Sequence, residues 1–277
     1  MRRLFTPLAL VLLLSGCWDR HTSTTELCED KPYLCQGTNK GDGQCRVQRT
    51  RFIWQKYEVE KDASDAQKFK LLTQAQHYYD CLTLAARIEP TELKERKTLR
   101  ADAAMFAQDE ILRLEQELAS SSNPDVLYYF WGKGSYQALE QFLALEGQTV
   151  MNTPDLQLKL ASYYIERDLE HTLKILSYGL SLYQAGDTVN PELLSALATV
   201  SHRSGYKDNA YIWSLVAQHY GVAIASEKQL TLLYPMNADH RTLLKHQADQ
   251  VTDALKEGRY RSQMVPIPSS ENAAFSE

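Results

Sequence analysis

The chain has 277 residues, of which 30 are basic and 35 acidic, giving a formal net charge of −5, and 44% are apolar. That length suits one large domain or two small ones. A mildly acidic chain without a Lys/Arg cluster excludes nucleic acid as a partner, and with it a polybasic grip on anionic lipid.

Arg2 and Arg3 open the chain, and Leu4 to Leu14 is apolar except for Thr6 and Pro7. That run is too short to span a bilayer as a stable helix, and charge followed by apolar residues is the order of an export signal. It ends in Leu14-Ser15-Gly16-Cys17, which resembles the bacterial lipobox. The resemblance implies residues 1–16 as a signal peptide, with cleavage ahead of Cys17 and a diacylglyceryl thioether on its sulfur. Two or more acyl chains give stable anchoring. An Asp directly after the lipidated cysteine marks retention at the inner membrane. Trp18 holds that position here, so the expected place is the outer membrane rather than the inner, with the domain facing the periplasm. No later run is long enough to span a membrane, which leaves Cys17 as the expected membrane attachment.

Residues 17–60 read as a tether and a cysteine-containing segment. Besides Cys17 there are Cys28, Cys35, Cys45 and Cys81, an even number that in an oxidising compartment implies two disulfides. Four cysteines allow three pairings. Cys28–Cys35 with Cys45–Cys81 is the favoured set, because the second bridge would pin the irregular segment to the first long helix. A zinc site is disfavoured, since no Cys-x-x-Cys pair occurs. Thr38 to Gly43 lacks the acidic ligands of a calcium loop and reads as a turn.

Residues 61–258 carry helical periodicity. From Ser64 to Ile88 the stripe is Phe69, Leu72, Ala75, Tyr79, Leu82 and Ala86. Pro90 ends that helix and Thr91 starts the next, whose buried side is Leu99, Ala103, Ala107, Ile111, Leu114 and Leu118. Glu92/Arg96 and Asp109/Arg113 fall four apart on its solvated face. Together the two helices form an antiparallel hairpin.

An internal repeat follows. Asn123-Pro124-Asp125-Val126, Thr153-Pro154-Asp155-Leu156 and Asn190-Pro191-Glu192-Leu193 share one pattern at offsets of 30 and 37 residues. Each reads as a helix start: a capping side chain, a proline at the first helical position and an acid near the positive end of the helix dipole. The second and third units also match further in, Leu160 with Leu197, Ala161 with Ala198, Leu176 with Trp213 and Tyr183 with Tyr220. Turns are expected at Gly132-Lys133-Gly134-Ser135, around Arg167-Asp168 and around Ser204-Gly205. Ser226 begins another helix, and a last one runs from about Asp239 to Glu257 with Leu243, Leu244, Val251, Ala254 and Leu255 inward. Residues 259–277 read as a disordered tail.

The motifs of a zinc protease, a nucleophile elbow and a P-loop are absent, and each of the seven His reads as a partly exposed helix residue rather than a ligand. No catalytic residue, metal or cofactor is expected. The aromatic runs Tyr128-Tyr129-Phe130-Trp131, Tyr163-Tyr164 and Tyr78-Tyr79 place neighbours about 100° apart on a helix, so one of each pair is expected inside and the other partly exposed. Tyr129, Trp131, Tyr163 and Tyr164 are the candidate partner-binding residues, because first helices of stacked pairs line a concave face.

With the lipobox, Cys28, Cys35 and Asp42-Gly43-Gln44-Cys45-Arg46 in place, the chain resembles a family of gammaproteobacterial lipoproteins of unknown function, which assigns no catalytic residue. The repeat region is similar to tetratricopeptide and Sel1-type helix pairs, without their consensus pattern. The expected fold is all-α: antiparallel helix pairs stacked as a tetratricopeptide-like solenoid, with a small disulfide-stapled N-terminal segment. The expected function is a lipid-anchored scaffold binding an envelope protein or peptide. An enzyme acting on peptidoglycan or another envelope polymer is the alternative.

Overall fold

The computed structural model describes residues 22–89 and 93–268, and these are helical without a strand. Cys17, Thr91, Glu92 and the expected tail beyond Pro268 lie outside the described residues. The chain divides into two compact units, one ending at Leu118 and the other beginning at Ala119. In the first unit the helical hairpin lies with the cysteine segment, to which a disulfide and a buried ion pair bind it.

The first unit begins with α1 (Thr24–Asp30), closed by a capping box between Ser23 and Glu26. A short 3-10 turn at Pro32–Cys35 follows, then α2 (Arg46–Lys61), α3 (Asp65–Ala85) and α4 (Glu95–Leu118). The bridges are Cys28–Cys35 and Cys45–Cys81, the favoured pairing. α2 packs on α3, and α3 on α4. Phe52 of α2 stacks on Tyr78 of α3 with centroids 5.6 Å apart.

The α3 stripe is shifted by one residue along part of its length. Tyr78 and Ala85 are buried, not Tyr79 and Ala86. Tyr78 wins because its hydroxyl accepts the Asn39 N–H at 3.1 Å and donates to the Asn39 side chain, which satisfies a buried polar group. On α4 the expected Leu99 is 44% exposed and Arg100, at 4%, takes its place in the interior. Arg113 pairs with Glu110 and Glu117 rather than Asp109. Gly37, at φ +76°, lies under Phe106, whose ring atoms come within 2.5 Å of where a Cβ would stand.

The second unit consists of α5 (Pro124–Gly132), α6 (Tyr136–Leu143), α7 (Pro154–Tyr164), α8 (Leu169–Ser181), α9 (Pro191–Arg203), α10 (Lys207–His219), α11 (Glu227–Leu233) and α12 (Ala238–Lys256). Three successive pairs, α5/α6, α7/α8 and α9/α10, pack internally, and α8 packs on α9. Leu160, Leu197, Ala161, Ala198, Leu176 and Trp213 are all buried, so the expected repeat register holds. α12 covers α10 and buries Ala248 and Thr252, while the expected Leu243 faces solvent.

The tail is the largest correction. Residues 259–268 fold back onto the unit: Tyr260 is 1% exposed, and Val265 is buried in the same core. The Tyr260 hydroxyl lies 2.8 Å from Ser177 Oγ, and its ring meets Trp213 edge-on at 5.9 Å. Asn209 and Gln247 donate to the carbonyls of Pro266 and Met264. Two apolar anchors and these amide bonds offset the ordering cost that the Pro/Ser composition suggested could not be met.

Candidate functional site

The three repeat motifs are helix caps, as expected. Asn123 Oδ1 accepts the N–H of Asp125 at 2.9 Å, Thr153 Oγ1 that of Leu156 at 3.3 Å, and Asn190 Oδ1 that of Glu192 at 3.0 Å. Each following proline has no N–H to leave unsatisfied, and each acid sits in the first turn. α5, α7 and α9 thus start alike. A groove of about 470 Å³ runs across them, lined by Tyr128 of α5, Asp155, Leu158 and Lys159 of α7, and Glu192 and Ala196 of α9. First helices of the pairs supply most of this lining, the placement that stacked helix pairs generally give, and Thr172 and Leu176 of α8 complete it.

Of the groove's charges, Lys159 is engaged: its ammonium pairs with Asp125 and lies 5.5 Å over the Tyr128 ring. The Tyr128 hydroxyl is 3.4 Å from Ser162 Oγ, and Asn190 Nδ2 reaches Asp155 Oδ1 at 3.4 Å. The tyrosine of the groove is Tyr128, one residue before the candidate Tyr129.

The four candidate aromatics divide. Trp131 meets Tyr163 at 5.8 Å, and Tyr163 meets Tyr164 at 4.9 Å, both edge-on. Tyr129, about 200° round the helix from Trp131, packs instead on Phe130 and lies under Lys133. All four are half-buried. One-in, one-out burial therefore describes Tyr78 and Tyr79 but fails here, because short helices packed from one side leave a broad intermediate band.

Tyr164 is fastened by a polar network. Its hydroxyl donates to Glu146 at 2.6 Å, and His171 Nε2 meets the other Glu146 oxygen at 2.7 Å. Desolvation, reinforced by that carboxylate, pushes the Tyr164 phenol up to about 12. One acid thus ties the turn after α6 to α7 and α8. Among the described residues no group of three His, Cys, Asp or Glu is placed to hold a metal.

Sequence reasoning missed two features. The groove's acids, Asp155 and Glu192, come from a motif whose repetition was visible, but their meeting at one groove depends on how α7 and α9 pack. The other is the buried pair Asp42–Arg100, for which a separation of 58 residues leaves no local signal.

Neither a curated protein nor a solved structure matches the chain. A family model described as "Protein of unknown function (DUF2989)" matches residues 14–215, a span that takes in Cys17, both disulfides and every groove residue named above. The chain belongs to that family.

Proposed function

We propose that this is a lipid-anchored interaction protein of the bacterial cell envelope, held through Cys17 on the outer membrane rather than the inner and facing the periplasm. It binds an envelope protein or peptide on its helical-repeat surface and performs no catalysis. The observation that carries the reading is the groove across α5, α7 and α9, an open concavity with an apolar floor and few polar groups at its rim. Two disulfides fit an oxidising compartment. Among the described residues no helix is long and apolar enough to cross a membrane. The groove's acids, Asp155 and Glu192, are first-turn residues that complement the positive ends of α7 and α9, which favours docking over hydrolysis of a polymer.

A photo-crosslinking amino acid at Ala196 or Leu158, in cells, tests it. Discrete adducts are expected from those positions and not from Leu243, which is exposed on α12. Adducts from all three alike, or from none, would overturn the groove as the binding surface.

A further inference from the structure

Resting on that groove reading, the structure identifies the chemistry of the occupant. We propose that the groove accepts an extended peptide segment carrying Lys or Arg beside apolar side chains, with the cation held by Asp155 and Glu192. Leu158, Ala161, Ile165, Leu176 and Ala196 form an apolar floor. The repeated cap motif sets one carboxylate at the start of each first helix: Asp125, Asp155 and Glu192. Lys159 neutralises Asp125 and is itself consumed by that pair. Among the described residues, Asp155 receives the 3.4 Å amide contact from Asn190 and no cation. The Glu192 carboxylate meets no cation among the described residues.

A helix N-terminus carries roughly half a positive charge, so each of these two carboxylates keeps a net negative field over the floor. Apolar floor and negative rim together complement a cationic, partly apolar segment, and they repel an acidic peptide or a nucleic acid. α7 has 11 residues. At ~1.5 Å rise per residue its length matches about five extended residues at ~3.3 Å each.

The test uses the full chain carrying Cys17→Ser, so that it is free of membrane, and fluorescein-labelled decapeptides. One peptide has two Lys among four apolar residues and Ser elsewhere; in two others Glu or Gln replaces Lys. The Lys peptide is expected to bind at least ten-fold more tightly than the Glu peptide, and to weaken between 50 and 300 mM NaCl. Asp155→Asn and Glu192→Gln should each weaken it about two- to five-fold, with circular dichroism confirming the fold, while Asp239→Asn should leave it unchanged. Ala196→Trp should block all three peptides. Binding that Ala196→Trp blocks but that ignores the sign of the peptide overturns the cationic occupant and leaves the groove reading intact. No binding, or binding that Ala196→Trp does not touch, overturns both. A dimer that Ala196→Trp dissociates and the Lys peptide fails to displace makes a second copy the occupant, and also overturns the proposal.

Discussion

Arg100 and Asp42 show how much one pair of residues can carry. Both side chains are almost fully buried, and Arg100 also donates to the Ala85 carbonyl at 3.0 Å, so the guanidinium links the loop before α2 to the end of α3. Removing one partner strands a buried charge, and Arg100→Met is expected to cost about 3–5 kcal/mol. Urea denaturation should show that loss, with partial recovery in the double variant Arg100→Met/Asp42→Asn. The same pair sets a pH dependence. The Arg100 hydrogen bond holds the Asp42 carboxyl below its usual range, against the opposing effect of burial. A depressed folded value means the stabilisation is complete above the unfolded value of ~3.9 and is lost as pH falls through the lower folded value. The wild type should therefore lose stability more steeply than Arg100→Met below about pH 4. Parallel slopes in denaturation at stepped pH would remove Asp42 as the cause.

At the scale of elements, caps and stops decide where helices begin and end. Asn123, Thr153 and Asn190 each satisfy a first-turn N–H, so alanine at any of them should cost about 0.5–2 kcal/mol. The end of α12 is more demanding. Gly258 has φ +63°, and a Cβ there would stand 2.4 Å from the Ala185 backbone nitrogen. Gly221 has φ +78° with open space around it. Gly221→Ala should cost only the left-handed penalty, ~1–2 kcal/mol. Gly258→Ala adds a backbone clash to that penalty and should lower the melting temperature further. Equal shifts for the two would refute the close approach.

For the molecule as a whole, the disulfides and the proposed anchor set the terms. Cys45–Cys81 spans a sequence separation of 36 and Cys28–Cys35 one of 7. By loop-closure entropy these correspond to about 4 and about 2 kcal/mol. A variant with Ala at positions 45 and 81 should therefore unfold at lower denaturant than one with Ala at 28 and 35; the reverse order would show that native contacts, not chain entropy, dominate. The proposed thioether predicts that Cys17→Ser moves the protein from the membrane fraction to the soluble one. Mass spectrometry of the native protein should find Cys17 acylated at the new N-terminus.

Local information carried far in this chain. Capping side chains reach backbone groups two or three residues away, and the apolar repeat recurs within one turn, so the helix starts of the repeat and the register of α7 with α9 were legible in the residues themselves. The parity of the cysteines was equally local, and only the reach from segment to hairpin favoured one pairing. What tertiary structure decided were choices between neighbours that depend on a distant partner. Tyr78 is buried over Tyr79 because Asn39 satisfies its hydroxyl, and Arg100 over Leu99 because Asp42 neutralises it. Residues 259–268 are ordered because Tyr260 finds Ser177 and Trp213. The groove belongs with these, since its lining comes from α5, α7, α8 and α9 and its acids from two separate helix starts. Burial of a polar group is favourable only once its partner is in place, and the partner's position is a property of the folded chain.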